Sequence, residues 1–132
     1  MLQMEKKILI LGLVLGMLSI IFGAFGAHAL KKVLTEESLV SFETGVRYQM
    51  YHALFLILIA HTAFLSQKDK TILFYLILIG VLFFSGSIYV LATNALTGIK
   101  TKILGPITPI GGMFLIASWG YFLYALIVKN KI

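Results

Sequence analysis

Hydrophobic positions fall into four long runs separated by short polar breaks. Residues 8–30, 48–67, 71–99 and 103–128 contain no Asp, Glu, Lys or Arg over 23, 20, 29 and 26 positions. A membrane-crossing helix needs about 20 mostly apolar residues. The pattern therefore predicts an all-α fold, a four-transmembrane-helix bundle with spans at about 7–30, 47–66, 71–94 and 112–129. These spans use nearly the whole 132-residue chain, so 1–132 is read as a single integral membrane domain. No internal repeat and no low-complexity segment stands out.

Small residues mark helix packing. Gly12 and Gly16 form GxxxG, and Ser19, Gly23, Gly26 and Ala27 extend the series through span one. Such a stripe lets another helix approach closely, because association in lipid rests on packing and not on hydrophobic burial. The reading is a seam inside the bundle; a homodimer through the same stripe is the alternative. Ser85, Gly86 and Ser87 predict a second seam in span three, which Asn94 and Thr97-Gly98 end.

The break at 31–46 has a different rhythm. Leu34, Leu39, Phe42 and Val46 recur at spacings of three to five around Thr35-Glu36-Glu37-Ser38. Thr35 is a helix-capping residue type, and Glu36 and Glu37 suit the positive end of the helix dipole. This segment is expected to be a short interfacial amphipathic helix between spans one and two, joined to span two through a bend near Gly45. Pro106 and Pro109, then Gly111-Gly112, resist helix, so 105–112 is expected to dip irregularly into the bundle before span four. In span four, Trp119 is expected to pack and Tyr124 to sit in an interfacial belt.

Composition sharpens the picture. The chain is 60% hydrophobic and 12% charged, against roughly 25% charged in soluble domains. Its net charge of +6 does not point to nucleic acid, because the lysines come in pairs at span ends: Lys6/Lys7, Lys31/Lys32, Lys68/Lys70, Lys100/Lys102 and Lys129/Lys131. Such lysines mark the headgroup boundary. The side holding both termini and the 66–70 turn carries six lysines, against four on the other side with Arg47 left out, which favours cytoplasmic termini in a bacterial cytoplasmic membrane. Ala27-His28-Ala29 mimics a signal-peptide cleavage site, but the run before it is too long, so span one is expected to be retained. The absence of cysteine excludes disulfides, thiolate catalysis and cysteine–metal sites.

Threading the spans up and down brings GAFGAHAL (23–30), FETGVRYQMYHAL (42–54), ATNALTG (92–98) and LGPITPIGG (104–112) to one face. The candidate ligand-binding residues there are His28, Glu43, Arg47, Tyr48, Tyr51, His52, Asn94, Gly105, Pro106, Pro109, Gly111 and Gly112. Glu43 and Arg47 are spaced to pair on one helix face, either as a structural clamp or with Arg47 as donor to an anionic headgroup. His28 and His52 are expected near one another across helices, with His61 too far down the helix to join them. Two histidines in a bundle raise haem or a metal as an option, but no third ligand accompanies them, so no cofactor and no metal are expected. A proton-relay role for either histidine is a further alternative. No hydrolase, metalloprotease, P-loop or dinucleotide motif appears, and no catalytic residue is assigned.

The strings GAFGAHAL, FETGVRYQMYHAL, FSGSIYVLA and LGPITPIGG, in this order in a chain of this length, resemble the bacterial family called domain of unknown function 423, related to the eukaryotic transmembrane protein 256. The resemblance covers nearly the whole chain. It implies a small multi-pass membrane protein of unestablished activity and marks Gly23, Gly26, His28, Glu43, Thr44, Arg47, Tyr48, Tyr51, His52, Ser85, Gly86, Gly105, Pro106, Pro109, Gly111 and Gly112. The leading expectation is a non-enzymatic membrane scaffold, or a protein that binds a lipid-like ligand or a larger membrane complex at the motif face. A small dimeric transporter and a lipid- or quinone-modifying enzyme are the alternatives.

Overall fold

The computed structural model describes residues 2–129; Lys131, paired above with Lys129, lies outside them. Those residues are helical, with no strand. Four long helical segments dominate. The first is α1, Gln3–His28, followed by a 3-10 turn, Leu30–Lys32. Next comes α2, Glu36–Ala60. The third is α3, Gln67–Val81, continued through a π-helical turn, Leu82–Gly86, into α4, Ser87–Ala92. After a single turn, α5 (Asn94–Thr97), the fourth is α6, Ile107–Tyr124, which runs into a π-helical turn, Ala125–Lys129. Three segments are long and apolar enough to cross a membrane: Gln3–Lys32, Gln67–Ala92 and Ile107–Lys129. The second helix is not apolar enough, because Glu43, Arg47, Gln49 and His52 dilute its composition.

Helix α2 revises two expectations. It is one uninterrupted helix from Glu36, so 36–46 is the first part of α2 and not a separate interfacial helix. Thr35 caps it as the sequence suggests, accepting the Ser38 amide at 3.1 Å. The helix also stops at Ala60, earlier than the expected 66, and Ser66 instead opens α3. There Ser66 and Asp69 exchange side-chain and backbone hydrogen bonds in a capping box, which satisfies two otherwise unpartnered amides.

The seam in α1 is present and α2 occupies it. A side chain added at Gly12 would lie 3.0 Å from the Ala53 carbonyl, at Gly16 3.7 Å from Ala53 Cβ, at Gly23 3.5 Å from Val46, and at Gly26 3.2 Å from Phe42. Ser19, on the same stripe, is 2% exposed. As one helix ascends, its partner's numbers descend, so the two are antiparallel. The stripe that also suggested a homodimer is thus covered by α2 within a single copy.

Helices α3 and α6 meet at two glycines. A Cβ on Gly80 would come 2.6 Å from Leu115, and one on Gly111 would come 2.3 Å from the Phe84 backbone nitrogen. The π-helical turn Leu82–Gly86 lies where Gly111 arrives; such single-turn insertions are rare in α-helices. Residues 107–112 are therefore helical, correcting the expected irregular dip. Pro106 caps α6 and Pro109 is its third residue; the first four helical amides have no intrahelical acceptor, so proline there removes no hydrogen bond.

The core runs through Ile8, Leu56, Ile59, Leu73 and Ile77, all 0% exposed. At the termini end two ion pairs bind the helices together. Lys70 donates to Glu5 at 2.9 Å and to the Ala60 carbonyl at 3.3 Å, and Gln67 donates to Glu5 at 2.7 Å. Asp69, 1% exposed, accepts from Tyr121 at 2.8 Å and from Lys129. Lys70 is thus turned inward and does not mark the headgroup boundary. The network joins α1, α2, α3 and α6 at one end, so the starts of α1 and α3 lie beside the end of α6.

Candidate functional site

At the opposite end the chain brings together Phe22 and Phe25 of α1, Leu30, Phe42 of α2, and Tyr89, Val90 and Thr93 around the end of α4. With Thr97 and Ile99 they line a cavity of about 250 Å3. Its wall is apolar apart from the threonine hydroxyls and the edge of Tyr89. GAFGAHAL, the start of FETGVRYQMYHAL and ATNALTG do converge here, as the threading predicts.

Tyr89 fixes the floor of this cavity. Its ring packs against Phe22 and Phe42 at centroid distances of 5.2 and 5.0 Å. It reaches that position because Gly45 has no side chain: a Cβ there would lie 2.8 Å from the Tyr89 ring. The Tyr89 hydroxyl donates to Gln49 Oε1 at 2.6 Å, and Gln49 Nε2 donates to the Leu15 carbonyl at 2.8 Å. One carbonyl of α1 therefore anchors α2, and α2 anchors α4. Ser85 adds a further tie by donating to the Gly45 carbonyl at 2.7 Å. Gln49 is 3% exposed, and each of these buried polar groups has the partner that burial demands.

On the other side of α4 a polar cleft of about 330 Å3 is lined by Glu37, Ser38 and Ser41 of α2, Ile88, Leu91 and Ala92 of α4, and Gly105 and Thr108. Ser87 and Thr108 share a hydrogen bond beside it. The apolar cavity and the polar cleft thus flank one helix at one end of the molecule.

The other predicted residues are dispersed. His28 is exposed at the end of α1. His52 is 3% exposed and lies far down α2, facing the level of Gly16 in the α1–α2 register. The two do not meet, because residues 28 and 16–17 of α1 differ by about 16–18 Å of helix rise. His52 Nδ1 lies 2.7 Å from the Tyr48 carbonyl and Nε2 lies 3.0 Å from Trp119 Nε1. A carbonyl can only accept and an indole N–H only donate, so His52 carries its proton on Nδ1 and both ring nitrogens are engaged by protein. His61 is exposed and bonds the Ile57 carbonyl of its own helix. Trp119 stacks on Phe55 at 4.0 Å but leaves half of its surface exposed, so it packs on one face only. Tyr124 is exposed near Lys129, as a belt residue would be.

The expected Glu43–Arg47 pair is not formed. Arg47 donates to Thr44 at 3.1 Å, and the ion pairs among the described residues are those of Glu5 and Asp69. On a helix, i,i+4 spacing permits this pair but does not enforce it against a nearer hydroxyl. Tyr48 and Tyr51 are exposed, their rings 5.5 Å apart. Asn94 is consumed locally, donating to the Ile99 carbonyl beside Gly98, whose φ of 67° ends α5 in the left-handed region open to glycine. Gly111 is a helix-packing residue, a Cβ added at Gly112 would lie 3.5 Å from the Phe84 ring, and one added at Gly86 would meet nothing within 4 Å, so Gly86 is not part of the seam that Ser85 and Ser87 make.

Sequence reasoning missed Gln49, Tyr89 and the Glu5–Lys70 and Asp69–Lys129 pairs. The available signal was Gln49 itself, a polar side chain one helical face away from Arg47 in an otherwise apolar run.

Comparison with known proteins places the chain in a family. The model of the family described as protein of unknown function (DUF423) matches residues 22–112. The chain is 45% identical over 114 residues to a UPF0382 membrane protein of Staphylococcus haemolyticus, covering 86% of this chain and 89% of the relative. It is 40% identical over 119 residues to the UPF0382 membrane protein YwdK of Bacillus subtilis, covering 86% and 90%. It is 32% identical over 132 residues to the UPF0382 inner membrane protein YgdD of Escherichia coli, covering 96% and 95%. No solved structure matches the chain. With the family model spanning most of its length and these relatives aligned nearly end to end, the chain belongs to the DUF423 family of proteins of unknown function, whose relatives here are named UPF0382 membrane proteins.

Proposed function

We propose that this protein binds the apolar chain of a lipid-like molecule in the cavity between α1 and α4. The observation that carries this reading is the cavity's wall: aromatic and aliphatic side chains from four parts of the chain, held by the buried Leu15–Gln49–Tyr89 hydrogen bonds. Small-molecule sites are concave, mostly apolar and pre-formed, usually about 300–1,000 Å3. A cavity slightly below that range suits a segment of a chain. The polar cleft across α4 supplies hydroxyls and Glu37 for a headgroup, so an amphiphile is the ligand class.

In this reading all four long helices cross the membrane, α2 included. Helices α1 and α2 are antiparallel, and α3 begins beside the start of α1. The chain must therefore return along α2. Gln49 and His52 are tolerated there because each is buried and fully hydrogen-bonded inside the protein, as polar groups at membrane depth must be. Both termini are cytoplasmic in this proposal, on the lysine bias.

A photoactivatable lipid bearing its reactive group in the acyl chain tests the site. Labelled peptides should map to Phe22, Phe25 or Val90, and Val90→Trp, which fills the cavity, should remove that labelling while sparing expression. Labelling spread evenly over lipid-facing residues such as Ile20 and Ile116, unchanged by Val90→Trp, would refute the assignment.

A further inference from the structure

We propose that the exposed face of α2 is a homodimer interface in which Arg47 of one copy pairs with Glu43 of the other. Val40, Glu43, Arg47, Tyr51, Leu54 and Leu58 recur at spacings of three and four, which places them within one stripe of about 100° on a helix. Val40, Tyr51, Leu54 and Leu58 are 51–58% exposed, Arg47 is exposed beside them, and Glu43 is half-buried at the edge of the stripe. The α1 stripe and α4 cover other faces of α2, so this one has no covering element.

Height makes the face unusual. Gly23 of α1 packs against Val46 and Gly16 against Ala53, so Arg47 stands level with residue 22. That is about 12 Å of helix rise below Leu30 and about 21 Å above Ile8, within the charge-free run of α1. Its hydrogen bond to Thr44 turns the guanidinium one turn, about 5 Å, toward the nearer end, which leaves it short of that end. On the reading above that α2 crosses the membrane, ionisable groups at such depth face protein or water and pair with one another. Glu43, one turn above, makes no ion pair or hydrogen bond of its own side chain among the described residues.

Two unpaired opposite charges one turn apart on an uncovered stripe are self-complementary. Copies in one membrane share an orientation, so their two-fold axis lies along the membrane normal and the two α2 helices run parallel. Arg47 of each copy then lies one turn from Glu43 of the other, two such pairs form, and Tyr51, Leu54 and Leu58 meet their counterparts below. The occupant this face fits is a second copy of the chain.

The chain contains no cysteine, so single cysteines report contacts without background. In native membranes treated with copper–phenanthroline as the oxidant, Leu54→Cys should form a disulfide-linked dimer roughly tenfold more than Leu13→Cys, an exposed control at nearly the same height on α1. Arg47→Glu or Glu43→Arg added to Leu54→Cys should abolish the cross-link, and both together should restore it. Equal cross-linking at Leu54 and Leu13, or none at Leu54, would overturn the interface. Unchanged cross-linking in the single charge variants would overturn the Arg47–Glu43 pairing. Should a charge variant fail to accumulate, the Leu54/Leu13 comparison with both native charges in place still decides the interface.

Discussion

Gln49 carries more of the architecture than any charged residue in the motif. Its amide bridges the Leu15 carbonyl of α1 and the Tyr89 hydroxyl of α4 from a position 3% exposed. Truncation to alanine removes the acceptor of the Tyr89 hydroxyl, while the Leu15 carbonyl keeps Ser19 as a donor, at a cost of about 1–3 kcal/mol. Gln49→Ala should therefore lower the thermal midpoint in detergent and release Tyr89 from the cavity floor, whereas Gln49→Glu keeps the acceptor for Tyr89. The measurement is the melting midpoint of each variant beside wild type; an unchanged midpoint for Gln49→Ala would show that the bridge contributes nothing. His52 illustrates why residue type misleads at this scale. A histidine in a membrane run invites a metal or a proton, yet here it is a connector between a carbonyl and an indole.

At the scale of elements, glycines decide where helices cross, but spacing alone does not say which glycines. Gly111 and Gly86 both sit in motifs that read as packing seams. Gly111 lies against the Phe83–Phe84 backbone, and Gly86 faces open space. Gly111→Ala should destabilise by about 1–3 kcal/mol through overpacking. Gly86→Ala should be neutral or stabilising by up to about 1 kcal/mol through helix propensity. Equal unfolding midpoints for the two variants would contradict the crossing geometry. The helices themselves were largely legible: three of the four runs are apolar enough to cross a membrane, and the Thr35 cap and the α1 seam stand where the pattern put them. The boundaries that moved have local causes. Ser66 reads as the tail of one span because it adjoins that apolar run, yet with Asp69 it forms the capping box that opens the next helix. Pro106 and Pro109 looked like helix breakers because proline is harmless only in the first turn, and nothing in the string says where that turn begins.

At the scale of the molecule, the two ends have different characters. One is tied by Glu5–Lys70 and Asp69–Lys129 and is crowded with mutual hydrogen bonds. The other opens into an apolar cavity and a polar cleft on either side of α4. The convergence of motifs at that end was legible from threading alone. The cavity was not, because Phe22, Phe25, Tyr89 and Val90 read as ordinary apolar positions until the Gly45–Tyr89 contact assembles them. Conversely, the polar cluster that attracted most notice in the sequence, 43–52, divides between an exposed stripe and a buried strut. The central claim is that the cavity holds a lipid-like chain, and native mass spectrometry of the protein released from its own membrane tests it most directly. Wild type is predicted to carry a bound small molecule whose mass identifies an amphiphile, and Val90→Trp is predicted to lose it. Wild type and variant that are equally free of ligand, or that carry the same one in equal amount, would contradict it.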